Sequence, residues 1–254
     1  MNKKKTLLTI CLLTLLMNLS VAQDDKSGLS ISLKSGVTFA NMYGPDVENE
    51  TFLNGNNPET FYANYPASSE FKNDFNVGLS LDYRFGKYVS LGLGASYIPK
   101  GARINVSKHW NNDLQTYEDV NGKIKWNQNF WTIELPITIY LPVKQNDFYI
   151  QAGIFGGFLI NSEEKGDIKL SGQEYEYVNN RSTKTNEKEP GFFLGCGYSY
   201  SSQSINGKLF IELSWTRSVI SSGGDEMIPD PQYYYNQTIG INIGYRYYFS
   251  FSKK

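Results

Sequence analysis

Apolar and polar side chains alternate with period two along eight stretches of the chain. That is the pattern of β-strands whose two faces meet different surroundings. In the first stretch Leu29, Ile31, Leu33, Val37 and Phe39 share one face, against Ser30, Ser32, Lys34, Gly36, Thr38 and Ala40. In the second, residues 71–86, Phe75, Val77, Leu79, Leu81, Tyr83 and Phe85 oppose Asn76, Gly78, Ser80, Asp82, Arg84 and Gly86. The same grammar predicts strands over 89–97, 131–141, 148–160, 192–200, 209–219 and 239–251. Connections over 42–70, 101–128, 161–189 and 221–236 are long and rich in Asn, Asp, Glu, Gly, Ser and Pro, and read as loops. Those over 86–88, 142–147 and 201–207 are short. Asn54-Gly55 and Asn121-Gly122 read as turns within the long loops, and Asn206-Gly207 as a tight turn at the other end.

Even strand number and alternating loop length predict an all-β, eight-stranded antiparallel up-and-down transmembrane β-barrel with four long extracellular loops. The polar face decides which side meets lipid. A soluble barrel would fill it with Lys and Glu, whereas here it is mostly Gly, Ser, Thr and Asn, which suit the narrow interior of eight strands. Aromatics on the apolar face gather at both strand ends. Phe39, Phe75, Tyr97, Trp131, Phe158, Phe192 and Trp215 fall at the loop end; Tyr83, Phe85, Phe148, Tyr198, Tyr200, Tyr247 and Phe249 fall at the turn end. Two such girdles fit the two membrane–water boundaries. Near the end of the chain Tyr245, Tyr247, Phe249 and Phe251 alternate, which resembles the aromatic final strand of an outer-membrane barrel, with Ser252-Lys253-Lys254 trailing past it.

Residues 1–22 read as a cleaved secretory signal: Lys3, Lys4 and Lys5, an apolar run from Leu7 to Met17, then Ser20, Val21 and Ala22. The run is shorter than the roughly 20 apolar residues that span a bilayer. Residues 23–254 are then a single barrel domain exported to the outer membrane. The leader carries three lysines and no acid, so its removal lowers the 24 basic side chains to 21 against 25 acidic, a formal charge of −4. That balance excludes a nucleic-acid binder, which needs a clustered basic face. Cys196 is alone once the leader's Cys11 is gone, so no disulfide forms within the chain. His109, the only histidine, reads as an exposed loop residue. Neither a multi-histidine zinc site nor a nucleophile-elbow hydrolase can be built. No catalytic constellation and no cofactor are predicted.

Six charged residues fall on the inward face: Lys34, Asp82, Arg84, Glu134, Glu212 and Arg246. Three are positive and three negative, as a dry interior demands. By strand height, Asp82, Arg84, Glu212 and Arg246 belong to the periplasmic half, with Lys34 and Glu134 above them. They form either a hydrogen-bonded plug or a polar path for small solutes. Arg217 lands on the lipid face beside Trp215, where it either pairs with a lipid head-group phosphate or is turned aside by a bulge. Tyr233, Tyr234 and Tyr235 are candidate loop contacts for a surface ligand or partner protein, or else the upper end of a strand.

The stretch from Trp131 to Tyr140, with Glu134-Leu135-Pro136 at its centre, resembles the PorT-like outer-membrane β-barrel proteins of Bacteroidetes. Leu91 to Tyr97 followed by Lys100-Gly101, Tyr149 to Gly156, and the leader ending Val21-Ala22-Gln23 resemble the same family. The resemblance implies an eight-stranded outer-membrane barrel and brings no catalytic residues. The expected function is a closed barrel in outer-membrane lipid, monomeric, that serves as a structural or surface-interaction scaffold. The alternative is a narrow pore or an accessory component of transport or secretion.

Overall fold

The computed structural model describes residues 28–55, 61–63, 67–112, 114–182, 185–201, 207–221 and 233–249. The expected leader, Asn206, Phe251 and most of the 221–236 loop lie outside them. The described strands are β1 (Gly28–Tyr43), β2 (Glu50–Asn54), β3 (Tyr62–Ala63), β4 (Lys72–Phe85), β5 (Val89–Asn111), β6 (Thr116–Val143), β7 (Asn146–Leu170), β8 (Gln173–Asn180), β9 (Lys188–Ser201), β10 (Lys208–Ser218) and β11 (Tyr235–Tyr248).

Eight of them close a ring, β1-β4-β5-β6-β7-β9-β10-β11 and back to β1, every neighbour antiparallel. Closure leaves no unpaired backbone edge toward lipid, which is the condition for spanning with strands. The apolar face points outward. Leu33, Leu79, Leu91, Ile137, Ile150 and Ile243 are exposed, while Ser32, Ser90, Thr132 and Thr138 are buried inside. From Trp131 to Leu141, β6 runs eleven residues between the girdles, matching the roughly 9–11 that a tilted strand needs to cross. The girdles make ring contacts: Tyr97–Trp131 and Phe192–Trp215 at the outer end, Tyr83–Phe85 and Phe148–Tyr198 at the other.

The connections expected over 101–128 and 161–189 are mostly strand. β5 continues 14 residues past Tyr97, about 48 Å along the chain at roughly 3.4 Å per residue. β6 and β7 rise beside it, and Asn121-Gly122 is paired with Lys169 and Ile168 rather than turning. The 42–70 connection contributes β2, parallel to β5, and β3 beside β2. β8 returns along β7 after a turn whose central residues, Ser171 and Gly172, both have positive φ, the geometry of a two-residue hairpin turn.

Polarity inverts along these long strands while the alternation continues. In the membrane-spanning part of β6, Trp131, Ile133, Leu135 and Ile137 point out and Thr132, Glu134 and Thr138 point in. Above Trp131, Lys123, Lys125 and Asn127 point out, and Val120, Ile124, Trp126 and Phe130 are buried inside. The outward medium changes from hydrocarbon to water, so the greasy side chains change faces. The result is a second apolar core outside the membrane, built from Leu53, Phe61, Ala63, Ile104, Val106, Val120, Ile124, Ile168 and Tyr177.

Candidate functional site

The barrel interior is filled from the periplasmic end upward. Asp147, at the start of β7, receives both terminal nitrogens of Arg84 at 3.3 Å and the ammonium of Lys208. The Arg84 guanidinium also lies 4.0 Å over the Tyr140 ring, a cation–π contact in a desolvated place. Arg246 donates to the Tyr140 hydroxyl at 2.9 Å and to Ser32 Oγ at 3.0 Å. Tyr140, Tyr149 and Phe210 pack together at this level. They fit because glycines face them: a Cβ on Gly197 would meet Tyr149 at 2.4 Å, and one on Gly244 would meet Phe210 at 2.3 Å.

Above them, Lys34 lies 3.2 Å from Glu134 and 3.7 Å from Glu212. Tyr149 donates to Glu212 at 3.1 Å. Asp82 accepts from Ser80 Oγ at 2.9 Å. Barrel shear places Glu212 beside Lys34 and Glu134, not with Arg84 as height along the strand predicts. Counting residues from a strand end ignores the stagger between strands. Near the outer mouth Asn236 donates to Gln128 at 2.6 Å, and Lys100 is paired with Glu189 at 2.6 Å. The Lys100 ammonium sits 4.2 Å from the Phe155 ring centre. The cavity among Lys34, Thr38, Asn76, Ser96, Glu134 and Asn242 measures about 30 Å³, room for a water or two. All six expected inward charges therefore lie in the barrel interior; Lys34, Glu134 and Glu212 form one cluster, and Arg84 and Arg246 share the Tyr140 side chain below it.

Sequence reasoning missed Asp147, Lys208, Lys100 and Glu189. Each lies one step beyond a predicted strand end, or a few, on the inward parity, so extending the alternation would have found them. The outer segments hold a further polar group. Glu164 is fully buried, accepts from the Tyr177 hydroxyl, and lies 2.9 Å from Arg181 Nε. Burial pushes its carboxyl above the ordinary range, with Arg181 opposing.

His109 is not an exposed loop residue. It is 4 % exposed, packs on Phe61, and its Nε2 meets the Gly55 carbonyl at 2.7 Å. Tyr234 is not a surface contact either, being buried against Trp126 with Met42, Ala67 and Ala102. Tyr235 begins β11 and stacks on Tyr43, and Tyr233 alone of the three is well exposed. Arg217 keeps its outward position without a bulge, opposite Phe192 and Gln237, with its guanidinium 3.9 Å over the Tyr43 ring.

No curated protein matches the chain by sequence. Among solved structures it is similar to Neisserial surface protein A (11 % identity, TM-score 0.41, 87 % of this chain and 99 % of that one). It is also similar to Ail, the attachment invasion locus protein of Yersinia pestis (13 %, TM-score 0.35, 87 % and 100 %). A third is the N-terminal β-barrel domain of Pseudomonas aeruginosa OprF (11 %, TM-score 0.33, 87 % and 100 %). The closed ring, the outward apolar face and the two girdles describe a protein of the outer membrane. The family model for the outer membrane protein beta-barrel domain matches residues 21–223, and the chain belongs to that family.

Proposed function

We propose that this protein is a closed, non-catalytic barrel that acts as a rigid base for a folded extracellular sheet, and that the sheet is its surface for a partner protein or ligand. The observation that carries this is the pairing of a filled lumen with a separate apolar core above the membrane. A conducting channel needs a continuous wet path, and here the charges are spent on one another or on neighbouring hydroxyls. An apolar core outside the bilayer, by contrast, stabilises a defined shape in water. We also propose that the chain is a PorT-like member of its family. Support comes from the Glu134-Leu135-Pro136 strand, whose acid turns into the lumen toward Lys34.

Planar-bilayer recording of the purified protein tests the closed state, with no steady current expected. A steady current whose ion selectivity shifts in Glu134→Gln or Arg246→Gln would establish the narrow pore instead.

A further inference from the structure

Every large outward side chain of the spanning region is apolar or aromatic up to the outer girdle, where two outward cations stand. Arg217 is at the top of β10, two residues above Trp215, with exposed Val219 and Ile220 beyond it. Lys188 is on neighbouring β9, exposed and directly opposite the girdle residue Phe158. Because Arg217 pairs with Phe192, the two cations are separated by four residues along β9, about 14 Å at roughly 3.4 Å per residue. Among the described residues neither has a carboxylate within ion-pairing distance. Inside the barrel Lys34, Arg84, Lys100 and Lys208 each find such a partner.

Arg217 is also held rigidly. Its guanidinium lies flat on Tyr43, 3.9 Å from the ring centre. Tyr43 stacks on Tyr235 at 5.2 Å with 24° between planes, and its hydroxyl donates to the Ser218 carbonyl at 2.7 Å. A stacked guanidinium leaves its in-plane N–H fork free, and that fork matches the oxygens of a phosphate. An unpaired, oriented cation among apolar outward neighbours costs free energy unless an anion arrives from the membrane side.

We propose that the outward face of β9 and β10 binds the phosphorylated headgroup of an outer-leaflet glycolipid. Arg217, fixed by Tyr43, is the bidentate phosphate ligand, and Lys188 takes a second anionic group of the same headgroup. Acyl chains of that lipid then lie along Trp215, Leu213 and Leu194, the outward residues below.

The test uses the full-length folded protein in detergent micelles. Lipid occupancy is read by native mass spectrometry with diphosphorylated lipid A as the probe. Dephosphorylated lipid A and inorganic phosphate serve as comparison arms. The wild type is expected to hold the diphosphorylated lipid and to hold the dephosphorylated one at least about tenfold more weakly, as loss of a charge-assisted bidentate contact implies. Arg217→Ala is expected to lose a similar factor. Arg217→Lys is expected to recover only part of it, since an ammonium offers no fork. Tyr43→Ala is expected to weaken binding, while Tyr43→Phe, which keeps the stacked ring, weakens it less. Heat-modifiability on gels establishes that each variant is folded. Equal occupancy by wild type and both Arg217 variants overturns the proposal, as does equal occupancy by the two lipids. Displacement of the lipid by inorganic phosphate at matched concentration makes this a free-anion site and overturns it too. None of these outcomes depends on whether the lumen conducts.

Discussion

The backbone amide of Ala63 donates to the side-chain hydroxyl of Tyr177 at 3.0 Å, and through that bond the two edges of the extracellular sheet meet. Ala63 is in β3 and Tyr177 in β8, the strands at opposite ends of the run β3-β2-β5-β6-β7-β8. Arg181 reinforces the seam by donating to the Ala63 carbonyl at 2.7 Å. The outer sheet is thus curled closed by side chains, whereas the barrel below is closed by a backbone ladder.

Tyr177→Phe is expected to open that seam. The buried Ala63 amide and the Glu164 carboxylate each lose a partner, at a cost of about 1–3 kcal/mol apiece. Amide hydrogen exchange is expected to speed up over 61–63 and 173–180 while the membrane-spanning strands keep their protection. Unchanged exchange at both edges would show that the seam contributes nothing.

Acidity acts on the same place. Burial raises the Glu164 carboxyl above its ordinary value, so the folded state holds this proton more tightly than the unfolded chain does. Its stabilising contribution is then present at low pH and lost as pH rises from the ordinary carboxylate range through the raised value. Protease resistance of β8 is expected to increase on mild acidification, and Glu164→Gln to flatten that dependence. A profile that is the same in both proteins contradicts the assignment.

In the lumen, Lys34→Met leaves Glu134 and Glu212 as buried like charges without their shared cation. Breaking a buried pair from one side costs about 3–5 kcal/mol. Urea unfolding in micelles is expected to show that loss. Lys34→Met combined with Glu134→Gln and Glu212→Gln is expected to recover most of it, because no uncompensated charge remains.

The inversion of faces along β6 can be read by paired substitutions. Ile137→Arg puts a charge against hydrocarbon, where about 2–4 kcal/mol is expected at the midplane. Lys125→Ala, on the same outward parity but above the membrane, is expected to change stability by under about 0.5 kcal/mol. Ile124→Lys buries a charge in the outer core and is expected to disorder the outer sheet without impairing insertion. Folding yields into lipid vesicles, compared with outer-sheet proteolysis, separate the three.

The alternation of residues in the spanning strands was enough, by itself, to determine the barrel, its strand number and which face meets lipid. Leu33 outside and Ser32 inside follow from period two and the small volume of an eight-stranded interior. Beyond Tyr97 and Trp131 the apolar side chains leave the outward face, so the spanning pattern ends there although the strands go on. Above the girdle Ile104 and Ile124 carry the grease on the other face, and Lys123 and Lys125 then look like loop. Only the tertiary structure decided which charges meet: stagger between strands brings Glu212 to Lys34 and Arg84 to Asp147, and no spacing along one strand contains that shift. It also decided that Tyr234 and His109 are buried. Chain-distant segments around Trp126 and Phe61 supply their surroundings, and a contact made across the sheet leaves no local pattern to read.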